Sequence, residues 1–174
     1  YMEWGEECLD KFNGMFAFAI YDTINKDVFL ARDRFGIKPL YYYQDNEKFI
    51  FSSEIPPILS VLNKSVYEND SAIFDFLLFN RTDHTKETFF KGIYKIPHGH
   101  KCIISNNIKI SQWYDLKSKI KNRAIDQKEL VELLTSSIGL RLRSDVPLGV
   151  CLSGGIDSSS IVSLILHKYK LRDI

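Results

Sequence analysis

The stretch that decides the fold reads VPLGVCLSGGIDSSS and occupies residues 146–160. It opens with an apolar run rich in residues that favour β-structure, which predicts a buried parallel strand. Pro147 lies at the start of that run, where a missing backbone N–H costs a strand little. After two glycines, Ile161, Val162 and Ile165 recur at helical spacing, so an amphipathic helix should follow. The predicted order is therefore strand, glycine-rich turn, helix.

The turn between that strand and helix has the chemistry of a phosphate site. Serines can cap the helix, glycines let the backbone approach a ligand closely, and free N–H groups at a helix start attract phosphate oxygens. The turn contains no lysine and does not match the Walker A pattern. Asp157 would repel a naked phosphate, which favours a bridging cation such as Mg2+. An ordinary strand–loop–helix turn built from small residues is the alternative.

The segment SGGIDSS at residues 153–159 resembles the PP-loop of the ATP pyrophosphatases, and with RSDVPLG at residues 143–149 it is similar to the glutamine-dependent asparagine synthetases. In that family the loop holds the pyrophosphate of ATP while a carboxylate is adenylated. The resemblance implies ATP and Mg2+ as cofactors, with Asp157 helping to hold the metal. The nucleotide-binding residues that it implies are Leu152, Ser153, Gly154, Gly155, Asp157, Ser158 and Ser159.

Composition excludes several other function classes. A net charge of +1 over 174 residues argues against a nucleic-acid or anionic-membrane surface. No apolar run approaches the ~20 residues of a membrane span. The cysteines Cys8, Cys102 and Cys151 lie far apart and show neither metal-ligand spacing nor a disulfide framework. This usage suits a reducing cytoplasm, with Cys151 buried in the predicted strand.

The N-terminal third predicts antiparallel β-structure. A helix with Trp4, Cys8 and Phe12 on one face should end before Asn13 and Gly14. Four strands should follow in meander order, which implies one antiparallel sheet. They are predicted at residues 15–22, 28–32, 40–43 and 49–52.

Three segments of this region, residues 12–22, 31–42 and 51–54, resemble the later half of a class II glutamine amidotransferase domain. That fold is a four-layer αββα sandwich with an N-terminal Cys nucleophile. The nucleophile and the glutamine-binding residues of the family precede the region in which this chain begins. No catalytic residue is therefore carried over, and Cys8 is not assigned as the nucleophile.

Two positions of this domain carry open alternatives. The charged loop Arg32, Asp33 and Arg34 is either a solvated ion-pair loop or, as the resemblance suggests, a brace on the active-site side. Met15 matches a position that would face the ammonia tunnel of the family, and simple core packing is the preferred alternative.

The remaining elements follow from turn and cap signals. Pro56 and Pro57 form a stop signal before a short apolar helix at residues 58–62, and Asn69 or Asp70 should cap the next helix. Asn106 and Asn107 predict the turn of a β-hairpin between strands at residues 101–105 and 108–113. Asp126 with Glu129 three residues on predicts a capped helix, whose apolar stripe should pack. That stripe consists of Leu130, Leu134, Ile138 and Leu142.

The predicted fold class is α+β followed by α/β: an antiparallel sheet from an αββα sandwich, then the beginning of a parallel-sheet PP-loop domain. Residues 1–60 should be the C-terminal part of the amidotransferase domain, 61–125 a linking region with a helix and a β-hairpin, and 126–174 the start of the PP-loop domain. Since the chain starts at Tyr1 and stops one helix after the loop, we expect an internal fragment of a longer protein.

The resemblance implies an asparagine synthase that hydrolyses glutamine, and the cysteine usage suggests a cytoplasmic location. The enzyme would convert aspartate, glutamine and ATP to asparagine, glutamate, AMP and pyrophosphate through β-aspartyl-AMP. The fragment alone should be inactive, and a homodimer of the complete protein is left open. One alternative is a relative with another acceptor, such as a β-lactam synthetase or an amidotransferase of surface-polysaccharide or peptide assembly. Another is a non-catalytic nucleotide-binding remnant.

Overall fold

The computed structural model describes residues 1–62 and 65–170. The chain divides into two compact units, Tyr1–Ile120 and Lys121–Ile174. Residues 63 and 64 of the predicted linking region, and residues 171–174 of the predicted PP-loop segment, lie outside the described residues.

The first unit contains two antiparallel sheets. The first sheet has the spatial order β1-β2-β6-β7, and the second has the order β4-β3-β5. The strands are β1 (Ala17–Tyr21), β2 (Val28–Arg32), β3 (Tyr41–Gln44), β4 (Phe49–Ser52), β5 (Ile93–Lys95), β6 (His100–Ile104) and β7 (Ile108–Gln112).

The prediction of one four-stranded meander was wrong, although both of its hairpins form. In β1 and β2, Ala17 faces Arg32, and in β3 and β4, Tyr41 faces Ser52. The free edge of β2 pairs with β6 and the free edge of β3 pairs with β5, so the two hairpins belong to different sheets. Local alternation sets the register within a hairpin. It does not select the distant strand that occupies the remaining edge.

The two sheets share one core. Leu30 of β2, Tyr42 of β3 and Cys102 of β6 are buried together in it. Helix α1 (Cys8–Lys11) covers the outer face of the first sheet, and helix α2 (Ile55–Leu62) covers the outer face of the second. These antiparallel sheets with flanking helices fit a class II amidotransferase domain, as the resemblance implied.

Two details of the predicted helices need correction. Helix α1 follows a 3-10 turn at Gly5–Glu7 and is one turn long, so it buries the neighbours Cys8 and Leu9 rather than a stripe. Trp4 and Phe12, which were expected beside Cys8, are exposed. The prolines after Ile55 lie inside the first turn of α2 instead of stopping before it, because that turn needs no N–H donors.

Helix α3 (Asp70–Phe79) and the short helix α4 (Leu116–Lys119) complete the first unit. Asn69 occupies the N-cap position of α3 as predicted, but its side chain makes no cap hydrogen bond. The side-chain Nδ2 of Asn69 instead donates to Glu87 Oε2 at 3.3 Å. The predicted hairpin over Asn106 and Asn107 is confirmed, since β6 and β7 pair directly across it.

The second unit consists of helix α5 (Gln127–Arg141), helix α6 (Ile156–Leu164) and a π-helical turn at Ile165–Tyr169. The predicted cap of α5 is confirmed, since Asp126 Oδ1 accepts a hydrogen bond from the Glu129 amide at 2.7 Å. The predicted packing of its apolar stripe was wrong, because α5 has no buried residue in the described part of this unit. Ile165 is buried, and the Tyr169 hydroxyl donates to the Thr135 carbonyl at 2.7 Å.

The buried strand predicted for residues 146–152 does not form. These residues have no strand conformation, and Val146 and Leu152 are mostly exposed. Cys151, expected inside that strand, carries an exposed free thiol. A strand needs a neighbour for its hydrogen bonds and its apolar faces. The described residues of this unit contain no other strand, so a parallel sheet does not begin here.

Within the described ranges, every helix is too short or too polar to cross a membrane.

Candidate functional site

The glycine-rich loop in front of α6 adopts the turn that its two glycines permit. Gly154 has a φ of +82°, a left-handed conformation that a residue with a Cβ adopts at a cost. Gly155 returns to extended backbone with a φ of −74° and a ψ of 165° and is the N-cap of α6. The chain therefore enters the helix directly from the turn, as the sequence predicted.

The first amides of α6 are left without acceptors. Gly155 provides no side-chain cap, and the Ser159 amide donates to the Gly155 carbonyl at 3.1 Å. The amides of Ile156, Asp157 and Ser158 donate to no acceptor in the described part of the chain. The predicted serine cap was therefore wrong, and this leaves three donors at the positive end of the helix dipole. Such donors suit an anion.

The serine hydroxyls bond to the loop itself. Ser158 Oγ donates to the Gly155 carbonyl at 3.2 Å, and it lies 3.1 Å from Ser153 Oγ. The two ends of the loop are thus joined through one pair of hydroxyls. The side chains of Asp157 and Leu152 are exposed beside it, Leu152 by 60%. The loop offers backbone donors, hydroxyls and one carboxylate, which is a donor set that fits a phosphate chain with Mg2+.

The charged loop of the first unit is built in the opposite way. Arg32 is buried and its guanidinium donates to three backbone carbonyls, those of Lys38 at 2.8 Å and of Ile96 and Gly36 at 2.7 Å. Of the two alternatives for the charged loop, the solvated ion-pair loop is wrong for this residue. A buried guanidinium with three satisfied donors cross-links the loop to the segment after β5.

Asp33 is the centre of this loop and is 1% exposed. Its carboxylate accepts hydrogen bonds from four backbone amides, at 2.9 to 3.3 Å. Burial alone would raise the pKa of this carboxyl. The amides outweigh burial and hold the pKa below its usual value, so Asp33 is ionised at neutral pH. The donors are Phe16, Phe35, Ile37 and Lys38.

Arg34 contacts the segment that precedes β1. Its guanidinium lies over the rings of Trp113 and Tyr114, 5.0 and 5.3 Å from their centroids, and donates to the Phe12 carbonyl at 2.5 Å. Phe12 and Phe16 are therefore both held by this loop, one by Arg34 and one by Asp33. Between them Met15 is 53% exposed, so the expected core packing of Met15 was wrong.

Sequence reasoning did not identify Asp33 as the organiser of its loop. A usable signal was present, because Asp33 directly follows a strand and precedes Gly36 by three residues. Aspartate at such a position commonly accepts hydrogen bonds from the amides that follow it. The polar segment 81–88 carries no motif in the sequence, and in the structure it borders a cavity.

Two family models match this chain in succession. Residues 1–114 match the family described as "Glutamine amidotransferase domain". Residues 129–172 match the family described as "Asparagine synthase". The first match covers the two-sheet unit almost entirely, and the second covers α5, the glycine-rich loop and α6.

Curated proteins are similar over nearly the whole chain. A protein named putative asparagine synthetase (glutamine-hydrolyzing) 2 from Methanocaldococcus jannaschii is 36% identical over 172 residues, which is 95% of this chain and 33% of that protein. Asparagine synthetase (glutamine-hydrolyzing) 3 from Bacillus subtilis is 32% identical, covering 94% of this chain and 27% of that protein. A protein named amidase chry2 from Gibberella zeae is 33% identical, covering 98% and 26%. The chain thus spans about a quarter to a third of the length of these relatives.

Proposed function

We propose that this chain, which belongs to the glutamine amidotransferase domain family, is part of an asparagine synthetase that uses glutamine as its nitrogen donor. The observation that carries the proposal is the order of the two matches: a glutamine amidotransferase match is followed on one chain by an asparagine synthase match. One part would release ammonia from glutamine, and the other would activate the side-chain carboxylate of aspartate with ATP.

In this proposal the loop 153–159 holds the phosphates of ATP. The free amides of Ile156, Asp157 and Ser158 donate to phosphate oxygens, and Leu152 borders the nucleotide. Mg2+ would neutralise phosphate charge when bound. The Asp157 carboxylate is the residue of this chain that would hold the metal. The further binding residues proposed are Ser153, Gly154, Gly155 and Ser159.

A firm hold on pyrophosphate serves the chemistry of the reaction. Attack of the aspartate carboxylate on the α-phosphorus breaks the bond to pyrophosphate and leaves β-aspartyl-AMP. Ammonia then displaces AMP, which is a better leaving group than oxide. Donors fixed before the reaction stabilise the charge that develops on the departing phosphates without reorganisation. The open amides at the start of α6 are such donors.

In the amidotransferase part we propose that the Asp33 loop braces the active-site side, and that Met15 faces the ammonia path. The exposure of Met15 between two anchored phenylalanines supports this position. In the complete enzyme, Met15→Glu should reduce glutamine-dependent synthesis while ammonia-dependent synthesis persists. Unchanged glutamine-dependent synthesis would remove Met15 from the path.

We further propose that residues 1–60 are the C-terminal part of the amidotransferase domain, residues 61–125 a linking region and residues 126–174 the start of the PP-loop domain. In the complete protein, we propose that residues 146–152 form a strand of a parallel sheet. We also propose a cytoplasmic location with aspartate, glutamine and ATP as small-molecule substrates, and a homodimer as the assembly to test. The apolar run that remains exposed in this unit supports the sheet, because such a run is typical of a strand buried on both faces.

The test is ATP–pyrophosphate exchange by the complete protein, with aspartate compared with other carboxylic acids. We expect exchange that depends on aspartate, and its loss in Asp157→Asn at low magnesium with partial recovery at high magnesium. The second candidate is a ligase with a different acceptor, since the chain is also similar to a protein with another name, amidase chry2. Exchange with another acid but not with aspartate would favour this second candidate. Absence of exchange with every acid would contradict both.

A further inference from the structure

A cavity of about 220 Å³ lies within the first unit. Its walls come from β3, α2, α3 and the segment from Arg81 to Phe89. Ile55, Ala72 and Phe89 supply apolar lining. Pockets for drug-sized ligands are commonly larger, from about 300 to 1,000 Å³. The size of this cavity therefore suits a molecule as small as a single amino acid.

A hydrogen bond and an ion pair hold the polar wall of the cavity in place. His84 Nε2 lies 2.8 Å from Asp75 Oδ2, which ties the segment to α3. The Lys95 side chain is 9% exposed, pairs with Asp83 at 3.0 Å and donates to the Thr82 carbonyl. Lys95 belongs to β5, so the segment is also tied to the second sheet. The cavity is thus formed before any ligand arrives, which lowers the ordering cost of binding.

Three polar groups of the lining lack a strong partner. The Arg81 guanidinium lies over the Phe79 ring at 5.3 Å and pairs with no carboxylate among the described residues. Glu87 accepts one long side-chain hydrogen bond, at 3.3 Å from Asn69, through Oε2 only. The Tyr41 hydroxyl has no hydrogen bond to any residue in the described ranges. The residues Arg81, Glu87 and Tyr41 therefore line the same small space.

We propose that this cavity binds a free α-amino acid with an uncharged side chain. The ligand carboxylate would pair with Arg81, its ammonium with Glu87, and its side chain would lie against Phe89 and Ile55 with Tyr41 as a polar contact. The charged lining residues are Arg81 and Lys95 against Asp83 and Glu87, so their formal charges cancel. A neutral zwitterion matches that balance, whereas a second carboxylate on the ligand would add an unpaired charge.

The inference is independent of the proposed function, because it uses neither ATP nor a second domain. The experiment is calorimetric titration of the full 174-residue chain with L-asparagine, N-acetyl-L-asparagine and L-asparaginamide, without nucleotide. We expect L-asparagine to bind with a Kd of about 1 mM or tighter, and L-aspartate to bind about tenfold more weakly. Each blocked derivative removes one charge of the zwitterion and should also weaken binding about tenfold.

The side-chain assignment is tested with matched variants. In Glu87→Gln, N-acetyl-L-asparagine should bind as tightly as L-asparagine, whereas L-asparaginamide should still bind more weakly. In Arg81→Gln, L-asparaginamide should bind as tightly as L-asparagine, whereas N-acetyl-L-asparagine should still bind more weakly. Glu47→Gln, at the exposed turn between β3 and β4, is the control and should leave every Kd unchanged. The proposal is overturned if L-asparagine does not bind, or if it binds with penalties that neither variant changes. Because Arg81 is exposed and Glu87 partly exposed, both variants should keep the wild-type thermal midpoint.

Discussion

Two glycine-containing loops of this protein use their backbone amides in opposite ways. In the loop after β2, the Asp33 carboxylate accepts hydrogen bonds from four backbone amides, and the Arg32 guanidinium donates to three backbone carbonyls. In the loop before α6, no side chain of the described residues accepts from the first three amides of the helix. Both loops contain a glycine with positive φ, Gly36 at +66° and Gly154 at +82°.

The difference shows how to separate a structural loop from a binding loop. A buried polar loop is stable alone only when its donors and acceptors are satisfied internally. An exposed loop can leave donors to water, and a ligand can later replace that water. The Asp33 loop is therefore complete as it stands, while the loop at residues 153–159 has capacity for an anion.

The largest expected effect tests the closed loop. Asp33→Ala would leave four amides without their acceptor, and we expect a loss of about 4 kcal/mol in the free energy of unfolding. Urea unfolding followed by tryptophan fluorescence measures it. The control is Asp45→Ala, which removes an exposed carboxylate that also accepts from two amides and should cost much less. Equal losses for the two variants would contradict the role of burial.

The pH dependence of stability should report the same carboxylate. The pKa of Asp33 is lowered on folding, so the unfolded chain takes up the proton first as pH falls. Its contribution is present above about pH 4 and is lost below it, at up to about 1.4 kcal/mol per pH unit. Asp33→Asn should remove that part of the slope in acid urea titrations. An unchanged slope would show that other carboxyls, such as Asp83, dominate.

Exchange of each loop glycine for alanine compares the two loops directly. A Cβ at Gly36 would lie 3.1 Å from the Arg32 guanidinium and from His98 Cβ, whereas a Cβ at Gly154 would meet no atom of the described residues within 4 Å. We expect Gly36→Ala to cost about 3 kcal/mol and Gly154→Ala about 1 kcal/mol, since only backbone strain applies to the second. Thermal unfolding by circular dichroism distinguishes them. A reversed order would mean that the open loop is more constrained than its contacts indicate.

The smallest expected effect concerns the cap of α5. Asp126→Ala removes the acceptor of the Glu129 amide and should cost about 1 kcal/mol, seen as lower helicity at 222 nm on warming. Lys128→Ala, one residue inside the same helix, keeps the cap and is the control. An equal loss of helicity on warming in both variants would contradict a stabilising role of the Asp126 cap.

Much of the local structure could be predicted from the sequence. Both early hairpins, the β6–β7 hairpin and the cap at Asp126 follow from alternation and from short-range hydrogen bonds. The glycine-rich turn and the helix after it were also predictable, because glycine alone readily adopts the φ of Gly154. Each of these depends on residues that are close together in the chain.

The errors share a different cause. Whether β1 to β4 form one sheet or two depends on β5 and β6, which lie more than forty residues further along the chain. The burial of Arg32 depends on the Ile96 carbonyl, and the cavity beside Arg81 depends on Lys95. Residues 146–152 have the composition of a buried strand, but composition does not supply the neighbouring strand that they need.

The sequence by itself determined the three hairpins, the cap of α5 and the loop whose glycines and serines resemble a pyrophosphate-binding turn. Only the tertiary structure decided that the first two hairpins lie in different sheets, that Arg32 and Asp33 are buried, and which amides remain free. The physical reason is range. Propensity, capping and turn geometry act over a few residues, whereas burial and hydrogen-bond satisfaction depend on partners that folding brings from distant parts of the chain.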